Sequence, residues 1–181
     1  MRPLLAVLLI VAGPTIAKEK GGVKMPDTLK VGAKELKLNG MGIRTKFIVR
    51  VYVAGLYTET VSKESARILA ADEARVMQLK LLMDLPKEKV SEAIEAGFEK
   101  NSKDQMPKLK DRLEKLTKGL KDVKKDESIT FTYVPGAGTS VKGPGTDLTV
   151  EGKDFADALF AVWLGKDPVD QGLKNGVLGD D

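Results

Sequence analysis

Apolar and polar residues alternate over long parts of this chain. TLKVGAKELKLNG, residues 28–40, alternates and ends in Asn39-Gly40, a pair suited to tight turns, which predicts a strand closing into a turn. GIRTKFIVRVYVAGLYTE, residues 42–59, is rich in Val, Ile, Phe and Tyr and predicts one long strand or a bent pair of strands. KESARILAADEA, residues 63–74, carries helix formers with Ala66, Leu69 and Ala70, and VMQLKLLMD, residues 76–84, returns to strand. From Pro86, which suits a first helical turn, Val90, Ala93, Ile94, Gly97 and Phe98 recur at helical spacing. A break follows at Met106-Pro107, and Leu109, Leu113, Leu116 and Leu120 continue the stripe, which reads as a core seam. SITFTYVPGAG predicts a strand and turn, and TSVKGPGTDLTVEG a hairpin. KDFADALFAVWLG predicts an amphipathic helix closed by Gly165, and DPVDQGLKNGVLG a short last helix. Strands, a long helical block, strands, then helices make an α+β domain with a mainly antiparallel sheet.

The alternation of residues 42–59 raises a chemical question. One face reads Arg44, Lys46, Ile48, Arg50, Tyr52, Ala54, Leu56, and the other Thr45, Phe47, Val49, Val51, Val53, Gly55, Tyr57. The second is a plain core face. The first begins charged and ends apolar, as a solvent edge running into a covered end would, or as a cleft with a cationic mouth and an apolar floor. A fatty acid or similar amphiphile needs such a gradient: arginine offers a permanently charged fork to the carboxylate and a tyrosine hydroxyl adds a donor. Arg44 and Tyr52 lie about 26 Å apart on a straight strand at ~3.3 Å per residue, so they serve one head group only if the chain bends or the ligand spans the gap. Arg50 and Tyr52, ~6.6 Å apart on one face, are simpler local neighbours.

Composition narrows the chemistry. The 181 residues suit one sizeable domain. The formal charge of +4 is mild, and the lysines of residues 100–125 are interspersed with Asp104, Asp111, Glu114 and Asp122. That is a solvated helix face, and nucleic acid is not expected as a partner. No His and no Cys occur, which removes the commonest general base, the thiol nucleophile, disulfides, and the zinc or haem sites built on those ligands. No cofactor is expected. The GAG at 136–138 and GPG at 143–145 lack the spacing and following helix of a phosphate loop and read as turns. Asp154, Asp157, Asp167 and Asp170 read as helix caps and dipole partners rather than metal ligands.

The first residues, MRPLLAVLLIVAGPTIAKEK, have the parts of a secretory signal: Arg2, an apolar run from Leu4 to Ala12, and small residues before a cleavage point after Ala17. The run is shorter than the ~20 residues of a spanning helix. Residues 1–17 are therefore expected to be a signal segment, with a retained anchor as the alternative, residues 18–27 a flexible lead-in, and 28–181 the folded domain. A periplasmic or secreted monomer without a membrane span after cleavage is the expectation.

LNGMGIRTKFIVRVYVAGLY at 38–57, LLMDLPKEKVSEAIEAGFEKN at 81–101, ITFTYVPGAGTSV at 129–141 and KDFADALFAVWLGKDPVDQGLKNGVLG at 153–179 together resemble the chalcone isomerase-like superfamily, in the family's order. The G-x-G-x-R element and the WLG-x-x-PVD element are the most distinctive. The resemblance implies an open-faced β-sandwich, in which a large antiparallel sheet carries a layer of helices with a cleft between them. Plant members cyclise chalcones to flavanones, related ones bind fatty acids in the same cleft, and others are non-catalytic helpers. The family's cleft arginine matches Arg44, through Gly40-Met41-Gly42-Ile43-Arg44. In the isomerases that residue polarises the substrate; in the fatty-acid binders it holds the carboxylate.

The isomerases' strand threonine falls near Tyr52, and their threonine before the helix end falls on Val162. Asn101 is the candidate for their water-holding Asn, while no Tyr occurs between Tyr57 and Tyr133 to match the catalytic one. With these departures, the resemblance implies a non-catalytic protein, exported on the reading of its N-terminal segment, that binds a small amphiphile such as a fatty acid through Arg44, Tyr52 and Tyr57. An isomerase or intramolecular lyase acting on an enone or phenol through Arg44, Tyr52 and Asn101 is one alternative. A structural or partner-binding envelope protein is the other. Trp163 is expected in the core, and Lys46 and Arg50 at the surface or the cleft mouth.

Overall fold

The computed structural model describes residues 16–180. The expected signal segment, apart from its last two residues, lies outside them. Seven strands form one antiparallel sheet in chain order, β3 (Thr28–Val31), β4 (Lys34–Lys46), β5 (Val49–Thr58), β6 (Arg75–Leu81), β7 (Ser128–Val134), β8 (Gly138–Gly143) and β9 (Thr146–Val150). The helices α1 (Ser65–Ala70), α2 (Lys87–Asn101) and α3 (Met106–Gly119) sit in the β5–β6 and β6–β7 connections, and α4 (Lys153–Leu164) and α5 (Gln171–Val177) follow β9. This is the expected α+β sandwich of sheet and helices.

The core explains the layering. Leu56, Met77, Leu79, Leu81, Phe131 and Val141 project from the sheet onto Ile94, Phe98, Leu109, Leu116 and the apolar length of α4. Helix α4 is buried from Phe155 to Leu164 with Asp157 alone half-exposed, because it lies between the sheet and α2 rather than on the surface. Gly97 of α2 makes that crossing close: a Cβ there would stand 2.7 Å from a Val162 methyl.

The other sheet face has a smaller core of Met25, Leu36, Leu38, Met41, Val53, Tyr57 and Val76. Part of it is covered by β1 (Ala17–Lys20) and β2 (Val23–Pro26), paired through a Gly21-Gly22 turn in which both glycines have positive φ. Residues 18–27, expected as a flexible lead-in, are thus a hairpin whose Met25 is buried against the sheet. The alternation of KEKGGVKMP and its Gly-Gly pair were the signal for it.

One turn lies elsewhere than expected, and another decides between the two readings of residues 42–59. The chain reverses at Gly32-Ala33, and β4 then runs straight through Asn39-Gly40. Asn39 is a bulge residue: its buried side chain donates to Ser62 O and Val177 O and accepts from Ser62 N–H. The second reversal is at Phe47-Ile48, so residues 42–59 are the bent pair of strands and not one long strand.

Candidate functional site

Between the β4–β7 end of the sheet and α2 lies a cleft of about 560 Å³, within the usual ~300–1,000 Å³ range of small-molecule sites. Its walls are apolar: Val51, Leu79, Leu81 and Ile129 from the strands, and Val90, Ala93, Ile94, Val162 and Trp163 from the helices. The helical stripe expected to be a core seam is therefore in part the wall of a cavity. Arg44, Lys46, Lys89 and Lys100 contribute cations, and Asp84, Glu92 and Asp167 carboxylates.

Local chain geometry assembles the polar end. The Phe47-Ile48 reversal pairs Arg44 of β4 directly with Tyr52 of β5. Next to them Thr45 pairs with Arg50, leaving Val51 as the extra residue of a bulge. A bulge resets the alternation of faces. As a result Val49, Val51 and Tyr52 all line the cleft, where strict alternation would have sent the valines to the opposite side.

The G-x-G-x-R element has a steric meaning here. Helix α5 lies against β4 so closely that a Cβ on Gly40 would meet the carbonyl of Gly176, and one on Gly42 the carbonyl of Leu173. This approach brings Asp170, the N-cap of α5, to the end of the ladder. Its Oδ1 accepts from Leu173 N–H at 2.9 Å. Its Oδ2 accepts from Thr45 N–H at 3.1 Å and from Arg44 Nη1 at 3.4 Å. Arg44 also donates through Nη1 to Thr45 O, while its Nη2 and Nε have no partner among the described residues. The guanidinium is thus held at one end and open at the other.

Tyr52 is 7% exposed, and its hydroxyl oxygen accepts a 3.0 Å hydrogen bond from Trp163 Nε1. Trp163 is fixed in turn against Phe131, with ring centroids 5.2 Å apart. With the Tyr52 oxygen accepting, its own proton has no acceptor among the described residues. Burial raises the hydroxyl to about 12, a rise that the Trp163 bond and the Arg44 charge only partly oppose. At neutral pH the site presents a neutral phenol donor beside a fixed cation, above an apolar chamber.

The other sequence-derived candidates stand elsewhere. Tyr57 is on the opposite sheet face, where its hydroxyl donates to Pro26 O and its ring fills the smaller core. Asn101 ends α2 and ties it to the loop after α4, donating to Gly97 O and Asp167 O and accepting from Asp167 N–H. The structure brings together Arg44 and Tyr52, and neither Tyr57 nor Asn101 with them. Sequence reasoning missed Asp170 as the partner of Arg44 and Trp163 as the partner of Tyr52; no local spacing signals either contact.

Of the four aspartates, Asp154 pairs with Arg112, Asp157 with Lys153 and Arg75, and Asp170 with Arg44. Arg75 is fully buried between the Tyr133 and Phe160 rings. No helix among the described residues is long and apolar enough to cross a membrane.

Comparison with known proteins places this geometry. The model of the chalcone isomerase-like family matches residues 17–179. A search of curated proteins returned no match. Among solved structures, a fatty-acid binding protein of Arabidopsis thaliana superposes with a TM-score of 0.67 at 17% identity, over 91% of this chain and 95% of that one. At that identity the likeness is one of fold. On the family match, which takes in nearly the whole described chain, the protein belongs to the chalcone isomerase-like family.

Proposed function

We propose that this protein binds a single-chain amphiphile with an anionic head, of the fatty-acid class, and does so as a carrier rather than a catalyst. One observation carries the reading: the cross-strand pair Arg44 and Tyr52 puts an open guanidinium edge and a free hydroxyl proton at the end of a cleft whose walls are mainly apolar. A carboxylate is costly to desolvate without such partners. Each buried methylene contributes about 0.8 kcal/mol, so a long tail supplies roughly 10 kcal/mol before ordering costs. The structural relative described as a fatty-acid binding protein supports the same class. The carrier reading is favoured over acid–base turnover because Asn101 is bound into the fold away from Arg44 and Tyr52, and because burial makes the Tyr52 phenol a poor base at neutral pH.

We further propose that residues 1–17 direct the chain out of the cytoplasm, a reading supported by Arg2, the apolar run and the small residues before Ala17. Native mass spectrometry of the protein purified from its own compartment tests both parts. The expected result is a chain starting after Ala17 with one fatty acid released on denaturation. An intact Met1 on protein recovered from the cytoplasm contradicts export, whereas an intact Met1 on membrane-held protein contradicts only the cleavage after Ala17. An empty cleft that also fails to take up added fatty acid contradicts the carrier.

A further inference from the structure

The tip of the β4–β5 hairpin defies both local turn chemistry and burial. The two-residue turns of β3–β4 and β4–β5 are built alike, with positive φ at the first central residue and not at the second. That pattern favours glycine at the first position, and the β3–β4 turn has it in Gly32, φ +59°. The β4–β5 turn has Phe47 instead, at φ +56°. A bulky side chain there is a strained choice. Nor is it compensated by packing, since Phe47 is 93% exposed and Ile48 beside it 95%.

The apolar tip continues into the cleft mouth, because Phe47, Val49 and Met83 also line the cleft. Lys46 and Arg50 flank the tip, both exposed and neither in an ion pair among the described residues. Of the three carboxylates lining the cleft, Asp84 is taken up by Lys124 and Glu92 by Lys89, while Asp167, in the loop after α4, is not part of the hairpin. Unpaired positive charge therefore sits beside the exposed apolar pair.

We propose that this hairpin tip docks on an anionic lipid surface. Phe47 and Ile48 enter the boundary between head groups and acyl chains, Lys46 and Arg50 meet the lipid phosphates, and the mouth of the cleft faces the bilayer. An apolar tip flanked by long cationic side chains suits that interface, where the hydrocarbon parts bury and the charges stay at the polar level. Two side chains at a hairpin tip are too little for a stable protein interface, which buries roughly 800 Å² per partner. The proposal does not depend on what fills the cleft: vesicle binding is read on unliganded protein, so either reading can fail while the other stands.

The test is co-sedimentation of the protein, purified from its own compartment and stripped of any bound lipid, with vesicles of phosphatidylcholine alone or mixed with phosphatidylglycerol. Whatever N-terminus it carries is common to every variant. The wild type is expected to bind the mixed vesicles, and more weakly at high salt. Phe47→Gly with Ile48→Ser should cut partitioning about tenfold or more, since burial of two apolar side chains is lost. Its thermal midpoint should not fall, because glycine suits this turn. Arg50→Gln should weaken binding to the anionic vesicles alone. If the double variant fails to fold, Ile48→Ser by itself, outside the cleft lining, carries the test, with reduced vesicle binding and unchanged ligand binding in solution. Absent binding by the wild type, or unchanged binding by the tip variants, overturns the proposal. So does a dimer in sedimentation velocity that Ile48→Ser dissolves, because the tip would then be a self-association surface.

Discussion

Arg44 stands directly opposite Tyr52 across the β4–β5 ladder, with Asp170 of α5 on one side of the guanidinium and Trp163 of α4 behind the phenol. Two strands and two helices thus converge on one polar point at the end of an apolar cleft. Each partner leaves something free: an open edge on Arg44, and the hydroxyl proton on Tyr52.

Asp170 competes with an incoming carboxylate for Arg44. Asp170→Asn keeps a good N-cap for α5 but removes the negative charge and the acceptor for Thr45 N–H. Carboxylate affinity should rise several-fold while stability falls by about 1 kcal/mol, the net worth of one hydrogen bond. Calorimetric titration and urea unfolding measure the two effects, and a fall in affinity without unfolding would show that Asp170 orients Arg44 rather than opposing the ligand.

Tyr52→Phe leaves the buried Trp163 N–H without its acceptor. It should cost about 1–3 kcal/mol of stability and weaken carboxylate binding too. Adding Trp163→Phe removes the orphaned donor and should recover part of the stability. A double-mutant cycle by chemical denaturation checks this, and strictly additive losses would mean the bond contributes nothing.

Alkaline pH should unfold the protein through its tyrosines. Burial is the main cause that raises each of Tyr52, Tyr57 and Tyr133 from 10.0 to about 12. A raised folded-state value means the native chain holds these protons more tightly than the unfolded one. Their contribution is complete below pH 10 and is lost as pH rises from about 10 towards 12. Tyrosinate absorbance should therefore stay low at pH 10 and appear together with loss of the near-ultraviolet circular dichroism. Free titration of one tyrosine near 10 in the folded protein would contradict the burial argument for that residue.

Gly42→Ala pushes a methyl group into the Leu173 carbonyl and lifts α5 off β4. Overpacking of this kind costs about 1–3 kcal/mol, and the displaced α5 should loosen Asp170 from Arg44. Thermal unfolding and ligand titration should both change. A stable variant with unaltered binding would break the link drawn between the glycine motif and the site.

Much of the fold was legible because helical and strand periods are strong signals over long segments. The stripes of α2 and α3 gave those elements, and the order of four segments gave the family. The segment of α4 reads as an amphipathic helix, although it is buried on nearly every side. The site was harder to read. Phe47-Ile48 carries no turn residue, so the alternation of residues 42–59 ran on across a reversal, and the Val51 bulge then shifted which side chains face the cleft. Asn39-Gly40 misled in the opposite sense: its residues serve long-range contacts with the loop after β5 and with α5, and the strand passes through them. Tyr57 shares with Tyr52 a strand and a residue type, yet faces a different core. Arg75 gave no warning of burial, since the two rings and the carboxylate that accommodate it come from segments remote in sequence.

The most direct test of the account is calorimetric titration of a long-chain fatty acid and of the alcohol of matching length, against wild type and Arg44→Ala. Loss of a charge-assisted hydrogen bond costs about 1.5–3 kcal/mol, so the acid should bind the variant roughly ten- to a hundred-fold more weakly, while the alcohol changes by less than about threefold. Equal losses for acid and alcohol, or no loss for either, would contradict Arg44 as the carboxylate's partner and with it the carrier reading of the cleft.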